Sequence, residues 1–198
     1  MRNIIVGIDQ WEKYTKPAIE SLIEMEPQTE IVVVDNISNP PYPEVPGVTM
    51  LRPDKRLGYA AALNYGAQHG AKHHDWLFFL NNDILFHKPF IDRFSEYSDD
   101  NTIYGFWTHE IDNGNPMKYL PSWAMLIHSN LFYSLGMFDD TYVPMGYEDA
   151  DICIRATRAG AELKELDRFD FGIEHLPRKN RQKMPEEMYR KLRSKLSI

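Results

Sequence analysis

Two stretches decide the fold class: Asn3-Ile4-Ile5-Val6-Gly7-Ile8 and Glu30-Ile31-Val32-Val33-Val34-Asp35-Asn36. Each is a short, continuous apolar run with polar residues at its end. Runs of that length read as strands buried on both faces. Between them Thr15 is placed to cap a helix that has Pro17 in its first turn. Ile19, Leu22 and Ile23 then form an apolar stripe. Strand, helix and strand at this spacing make a βαβ unit, which implies a parallel sheet and an α/β fold.

The pattern continues outward from this unit. Asn39 to Gly47 contains Pro40, Pro41, Pro43 and Pro46 and reads as a loop. Val48 to Leu51 is a short strand. Leu57 to Gly70 is a small-residue helix, with Ala60, Ala61, Ala62, Gly66 and Ala67 offering a close-packed face to the sheet or to a ligand. Trp76 to Leu80 is a strand running into Asn81-Asn82-Asp83, and Pro89 to Tyr97 is a helix. Ile103 to Trp107 and Trp123 to Ile127 are strands of a mixed second half. Ser129 to Leu135 is a helix closed by Gly136, and Glu148 to Ala159 one ended by Gly160. Ala161 to Leu166 and Phe171 to Glu174 are final strands, and Pro185 to Leu196 is a basic helix.

The 198 residues suit one domain, and 43% hydrophobic content suffices for a core. The formal net charge of −7 argues against broad, nonspecific nucleic-acid binding. A single cysteine, Cys153, excludes an intrachain disulfide and fits a reducing compartment. Its neighbours Ile152 and Ile154 mark it as buried filler. There is no signal-peptide pattern and no apolar run of membrane-spanning length, so the expected location is cytoplasmic.

Polar residues gather where apolar strands end: Asp9-Gln10, Asp35-Asn36 and Asn81-Asn82-Asp83. Open α/β sheets bind ligands at the carboxyl ends of their strands. One such carboxylate is ordinary turn chemistry; three in succession point to a site. Neither GxGxxG nor GxxxxGK[ST] is present, which removes the common dinucleotide and P-loop fingerprints. Later, Gly146-Tyr147-Glu148-Asp149-Ala150-Asp151-Ile152-Cys153-Ile154-Arg155 sets three acids within four residues, with Arg155 one turn beyond Asp151. Glu148 and Asp151 share a helical face, as do Asp151 and Arg155. The segment is either a solvated helix start or a general base at a helix mouth, where free amides favour anions.

Taken in order, these pieces resemble an inverting, GT-A-type glycosyltransferase of family 2. The resemblance runs from the first strand to His175. It rests on Asp9-Gln10-Trp11-Glu12, Val33-Val34-Asp35-Asn36, Arg56-Leu57-Gly58-Tyr59-Ala60-Ala61-Ala62-Leu63-Asn64, Phe79-Leu80-Asn81-Asn82-Asp83, Leu135-Gly136-Met137-Phe138-Asp139-Asp140 and the Glu148-Asp149 motif. It implies a Rossmann-like, mostly parallel central sheet flanked by helices. Residues 1–177 would form one domain, with a nucleotide-sugar half over 1–100, a mixed acceptor half over 101–177, and a basic tail over 178–198.

The resemblance also implies roles. Asp9, Asp35, Arg56, Gly58, Asn64 and Asn82 would line the nucleotide-sugar pocket, with Asp35 holding the base. Arg56 departs from the asparagine common at its position, and is either a base or phosphate contact or a surface residue. Asp83 would hold Mn2+ or Mg2+, with Asn81 standing where a first acid is often found. His175 is a second metal ligand or a capping histidine. Asp149 would be the general base, with Glu148 and Asp151 orienting acceptor and helix, and Asp139-Asp140 a loop that positions them. His73 and His74 read as solvated helix-end residues. Trp107, Trp123 and Tyr119 through Pro121 lie in the half that would bind the acceptor, with core packing the favoured role for Trp123 beside Ala124-Met125-Leu126.

The implied reaction moves a sugar from a nucleoside diphosphate, UDP or dTDP, to a hydroxyl by metal-assisted single displacement. The Phe-Asp-Asp and Glu-Asp motifs are similar to those of relatives that use rhamnose donors. The acceptor is a glycan, a protein or a modified nucleobase. Arg178, Lys179, Arg181, Lys183, Arg190, Lys191, Arg193 and Lys195 read as a solvated helix, as a segment whose Arg178 to Lys183 close over the diphosphate, or as a contact with an anionic partner, either a membrane surface or nucleic acid, the latter disfavoured by the net charge. The competing classes are a nucleotidyltransferase and a non-catalytic sugar-nucleotide or glycan-binding module. The first lacks its glycine-rich phosphate loop, and the second would not need Glu148-Asp149.

Overall fold

In the computed structural model, which describes residues 1–69, 75–97, 99–111, 117–177 and 186–197, the first βαβ unit forms as expected. Strand β1 (Arg2–Gly7) and strand β2 (Glu30–Asp35) run parallel, joined by α1 (Lys16–Met25). Strand β3 (Val48–Leu51) extends the sheet beyond β2, and α2 (Tyr59–His69) leads to β4 (Trp76–Asn81) on the other side of β1. After the short β5 (Ile84–Phe86) and the single turn α3 (Ile91–Phe94) come β6 (Thr102–Gly105), the hairpin β7 (His109–Ile111) and β8 (Met117–Tyr119), and β9 (Ala124–His128). Then follow α4 (Ser129–Ser134), α5 (Glu148–Arg158), β10 (Glu162–Glu165), β11 (Ile173–His175) and α6 (Glu186–Leu196).

The seven-stranded sheet has the order β10-β6-β9-β4-β1-β2-β3. Only β9 runs against its neighbours, pairing antiparallel with both β4 and β6. The α/β, mostly parallel sheet is therefore present, with a mixed second half. Strand alternation sends Ile4, Val6 and Phe79 to one face and Ile5 and Phe78 to the other. The first face packs on α2, α4 and α5. The second holds a phenylalanine cluster, with Phe78, Phe86, Phe90 and Phe94 in mutual ring contact. Gly66 lets α2 sit flat on the sheet, since a Cβ there would lie 2.6 Å from Ile4 Cγ2.

Several local expectations are corrected. Thr15 does not cap α1: it has helical dihedrals and makes no cap hydrogen bond, because one wide turn over Trp11–Thr15 runs straight into the helix. The helix expected over Pro89 to Tyr97 shrinks to α3, whose entry is held by Glu26 Oε1 accepting from Phe90 N (2.5 Å) and Ile91 N (2.7 Å). Strands β5, β7 and β8 were not expected. Helix α6 is not solvated all round. It buries Met188, Leu192 and Leu196, spaced four apart, against Ala150 and Ile154 of α5.

Candidate functional site

The carboxyl ends of β1 and β2 meet in a hydrogen-bonded corner. Asp35 is buried and accepts from Ser38 N (2.8 Å), from Tyr42 N (3.1 Å) and from the Arg52 guanidinium. Burial opposes its charge, but these donors outweigh that and hold its pKa below the ordinary carboxylate value. Asp9 accepts from Asn39 N through Oδ1 (2.9 Å) and takes a left-handed backbone, φ 52°. With Gln10, Trp11 and the Asn39–Pro43 segment it lines a cavity of about 270 Å³. Asn36 clamps the next motif, donating to Leu57 O (3.0 Å) and accepting from Leu57 N (2.9 Å). Gly58 sits beside that clamp, packed on Tyr142 to Pro144.

A chain of side chains joins this corner to the end of β4. Asn82 Nδ2 donates to Thr15 Oγ1 (2.8 Å), Thr15 Oγ1 to Tyr42 Oη (3.0 Å), and Tyr42 Oη to Asp9 O (2.7 Å). Gly7 makes room for it: a Cβ there would fall 2.6 Å from Tyr42 Oη. Next along the chain, Asp83 is fully buried, and His175 Nε2 lies 3.3 Å from its Oδ1. The antiparallel pairing of β11 with β5 sets His175 opposite Ile84 and so brings the two together. The His175 ring stacks on Trp123, with centroids 4.8 Å apart. Trp123 is thus part of the site's wall rather than core filler alone.

The mouth of α5 supplies the third group. Glu148 and Asp149 are both buried. Asp149 accepts from Ala150 N (2.8 Å) through Oδ1 and from Ser122 N (3.2 Å) through Oδ2. Glu148 Oε2 accepts from Gly146 N (2.5 Å). Burial raises the pKa of both, and for Glu148 the neighbouring Asp149 charge adds to it. Tyr59 ties this mouth to β4: its hydroxyl donates to Asn81 Oδ1 (2.6 Å), its amide to Pro144 O (2.9 Å), and its ring feels the charges of Glu148, Asp149 and Asp83.

Other residues expected at the site have other partners. Asp151 is two positions beyond Asp149, which turns it to the far side of the helix. There it is fully buried between Arg155 Nε (2.7 Å) and Lys195 Nζ (2.7 Å). Lys195 also reaches Asp139 (2.7 Å), and Arg155 donates to Leu135 O and to Met137 O (2.8 Å). Asn64 spends both amide atoms on the Phe138 backbone, at 2.8 and 3.2 Å. Arg56 is exposed. In α6, Arg190 pairs with Glu186, and Lys191 and Lys195 are turned to Thr141 O, Asp139 and Asp151. That arrangement lends no support to nucleic acid as a partner. His73, His74, Arg178, Lys179, Arg181 and Lys183 lie outside the described residues. Sequence reading missed Arg52, Tyr59 and Ser122, and it named Lys195 only as part of the basic tail. Tyr59 had a signal, its place inside the Arg56 to Asn64 motif.

Asp83 and His175 offer one carboxylate oxygen and one imidazole nitrogen, donors that suit a divalent cation such as Mn2+. Among the described residues no group of three or more His, Cys, Asp or Glu is placed to hold a metal ion, so a cation held by this pair would draw its remaining ligands from a diphosphate and water. No helix of the described residues is long and apolar enough to cross a membrane.

Residues 4–155 match the model of the family described as "Glycosyl transferase family 2". No curated protein matches in sequence. Among solved structures, the chain is similar to GalNAc-T7 with UDP, GalNAc and Mn2+ (TM-score 0.68, 15% identity), covering 82% of this chain and 41% of that one. It is similar to the mannosyltransferase PcManGT from Pyrobaculum calidifontis in complex with GDP-Man and Mn2+ (TM-score 0.67, 13% identity; 98% and 68% covered). It is also similar to the catalytic domain of Drosophila beta1,4galactosyltransferase 7 in complex with xylobiose (TM-score 0.62, 15% identity; 96% and 79% covered). At these identities the likeness shows the fold, GT-A. The chain thus spans under half the length of the first of these structures.

Proposed function

The chain belongs to glycosyl transferase family 2, and we propose that it moves a sugar from a nucleoside diphosphate to an acceptor hydroxyl by one inverting displacement, with Asp149 as the base. Glycosyl transfer is the family's activity; donor, base and metal are our reading. One observation carries it. Ser122 holds the Asp149 carboxylate through its amide, while the adjacent Trp123 stacks on His175, the partner of Asp83. Two consecutive residues therefore link the proposed base to the proposed metal pair.

Each group then has a task. Asp35, Asp9 and the Asn36-held Leu57-Gly58 loop bind and orient the nucleotide, and Asn82 belongs to the same wall. Asp83 and His175 would hold Mn2+ or Mg2+, which stabilises the charge that gathers on the departing diphosphate. Asp149 takes the proton of the acceptor hydroxyl, which is a poor nucleophile until it loses it. Its two amide donors keep the carboxylate aimed, while burial strengthens it as a base. Glu148 is a positioning residue for the loop through Gly146 N, and Asp151 anchors the helix from its other side. Residues 1–177 form the transferase domain in this reading.

The test is a thermal-shift panel of UDP-, dTDP- and GDP-sugars, each with and without manganese. A ligand that binds only the folded state raises its apparent stability. The expected result is a metal-dependent shift with UDP or dTDP sugars. Asp149→Asn should keep that shift and lose about 10²- to 10⁴-fold in turnover. Full turnover by Asp149→Asn would remove the base assignment, and no shift with any donor would favour a non-catalytic glycan-binding module.

A further inference from the structure

Tyr147 stands two residues before Asp149 in a left-handed backbone, φ 66° and ψ 6°, and gives α5 no capping hydrogen bond from its side chain. A large residue keeps that conformation only where its surroundings over-determine it. Helix α6 supplies such a hold. The Tyr189 ring lies against the Tyr147 ring, centroids 5.6 Å apart at 41°. Lys191 donates to Thr141 O and sits 4.9 Å over the Tyr142 ring. Lys195 reaches Asp139 (2.7 Å). One helix thus grips the loop over residues 139–147 at Asp139, Thr141, Tyr142 and Tyr147. From the other side Tyr59 N donates to Pro144 O (2.9 Å).

Helix α6 has its own anchorage, apart from the loop. Met188, Leu192 and Leu196 share a buried cluster with Ala150 and Ile154, and Arg158 donates to Leu196 O (2.6 Å). That burial suffices to dock the helix, whereas Tyr189 and Lys191 end on the loop rather than on the body of α5. The family match stops at residue 155, which sets α6 outside the matched segment. We propose that Tyr189 and Lys191 are positioning residues: they hold the 139–147 loop and its left-handed turn, and through that turn keep the Asp149 carboxylate on Ser122 N. This rests on the reading of Asp149 as the base. The side chains of Asp35 and Asp9 are bonded by residues 38–52, so the effect falls on the base and not on donor binding.

The experiment is amide hydrogen exchange by NMR on the full chain, because the Ser122 amide reports directly whether Asp149 stays aimed. Tyr189→Ala and Lys191→Met should each speed exchange at Ser122 about tenfold and leave Val33 and Phe79, in central strands, at parental rates. Tyr189→Phe, which keeps the ring, should restore most of the protection. Arg190→Ala, which removes only an exposed pair with Glu186, should change nothing. Nucleotide release from UDP-glucose, UDP-N-acetylglucosamine or dTDP-rhamnose should slow about tenfold in Tyr189→Ala, with the manganese-dependent donor shift unchanged. Parental exchange at Ser122 in both variants overturns the proposal. So does faster exchange spread evenly over the sheet, the mark of general destabilisation, and so does faster Ser122 exchange with undiminished nucleotide release by Tyr189→Ala. The exchange arm needs neither donor nor turnover. Full turnover by Asp149→Asn beside faster Ser122 exchange in Tyr189→Ala would therefore remove the base assignment and keep the hold of α6 on the loop.

Discussion

The ring of Trp123 lies on the imidazole of His175, centroids 4.8 Å apart and planes at 21°. The stack fixes the plane of the His175 ring and so the direction of Nε2, which lies 3.3 Å from Asp83 Oδ1. A ligand nitrogen that must be aimed afresh for each cation binds it more weakly. Trp123→Ala is therefore expected to weaken the manganese dependence of donor binding about tenfold or more, as His175→Ala should. Calorimetric titration of manganese in the presence of donor nucleotide checks this; unchanged affinity in both variants would remove His175 from the metal site.

Glu148 has its pKa pushed up to about 8 by burial and by the Asp149 charge. The folded protein thus keeps a proton that the unfolded chain releases near pH 4.5. Stability from this group is present at low pH and is lost as pH rises through that window, at up to about 1.4 kcal/mol per unit. Glu148→Gln should melt like the parent near pH 5 and above it near pH 9. Parallel melting curves for both proteins across that range would show that Glu148 is not protonated when folded.

Lys195 bridges the carboxylates of Asp139 and Asp151. Burial works against the Asp139 charge, but Lys195 and Thr141 overcome it and hold its pKa at about 2. That stabilisation is present above the ordinary value of 3.8 and is lost as pH falls toward 2. Lys195→Met should move the acid-unfolding midpoint upward and cost about 1–3 kcal/mol at neutral pH, less than a fully enclosed pair because the ammonium is one-third exposed. Chemical denaturation at pH 4 and pH 7 measures both.

The strands and the polar clusters at their ends were legible because each is a local pattern: an apolar run, then a carboxylate or amide. The acidic start of α5 was legible for the same reason. What could not be read is which acids meet. Helical spacing put Asp151 beside Arg155, but neither the bond of Asp149 to Ser122 nor that of Asp151 to Lys195, a residue 44 positions away, has a local pattern. Asn64, Tyr59 and Arg52 likewise gain their roles from contacts across the fold, and the short β5, β7 and β8 have too few residues for periodicity to register. Trp123 carries the residue type of a core residue and only its stacking on His175 places it at the site.

The single reversed strand has a consequence for how this protein tolerates change. In a parallel sheet the loops at one rim all leave strands, and they alone shape the ligand's surroundings. Because β9 runs the other way, the residues entering it, Ser122 and Trp123, reach that same rim, held by Asn81 N donating to Trp123 O at 2.8 Å. Its exit, His128 to Ser129, is pinned at the opposite rim, where Ser129 N donates to Asp75 O at 2.7 Å. Residues inserted just before Ala124 would shift two walls of the site at once, whereas the same insertion after His128 would fall between β9 and α4, at the opposite rim of the sheet. The direction of one strand thus separates insertions that reach the site from insertions that do not.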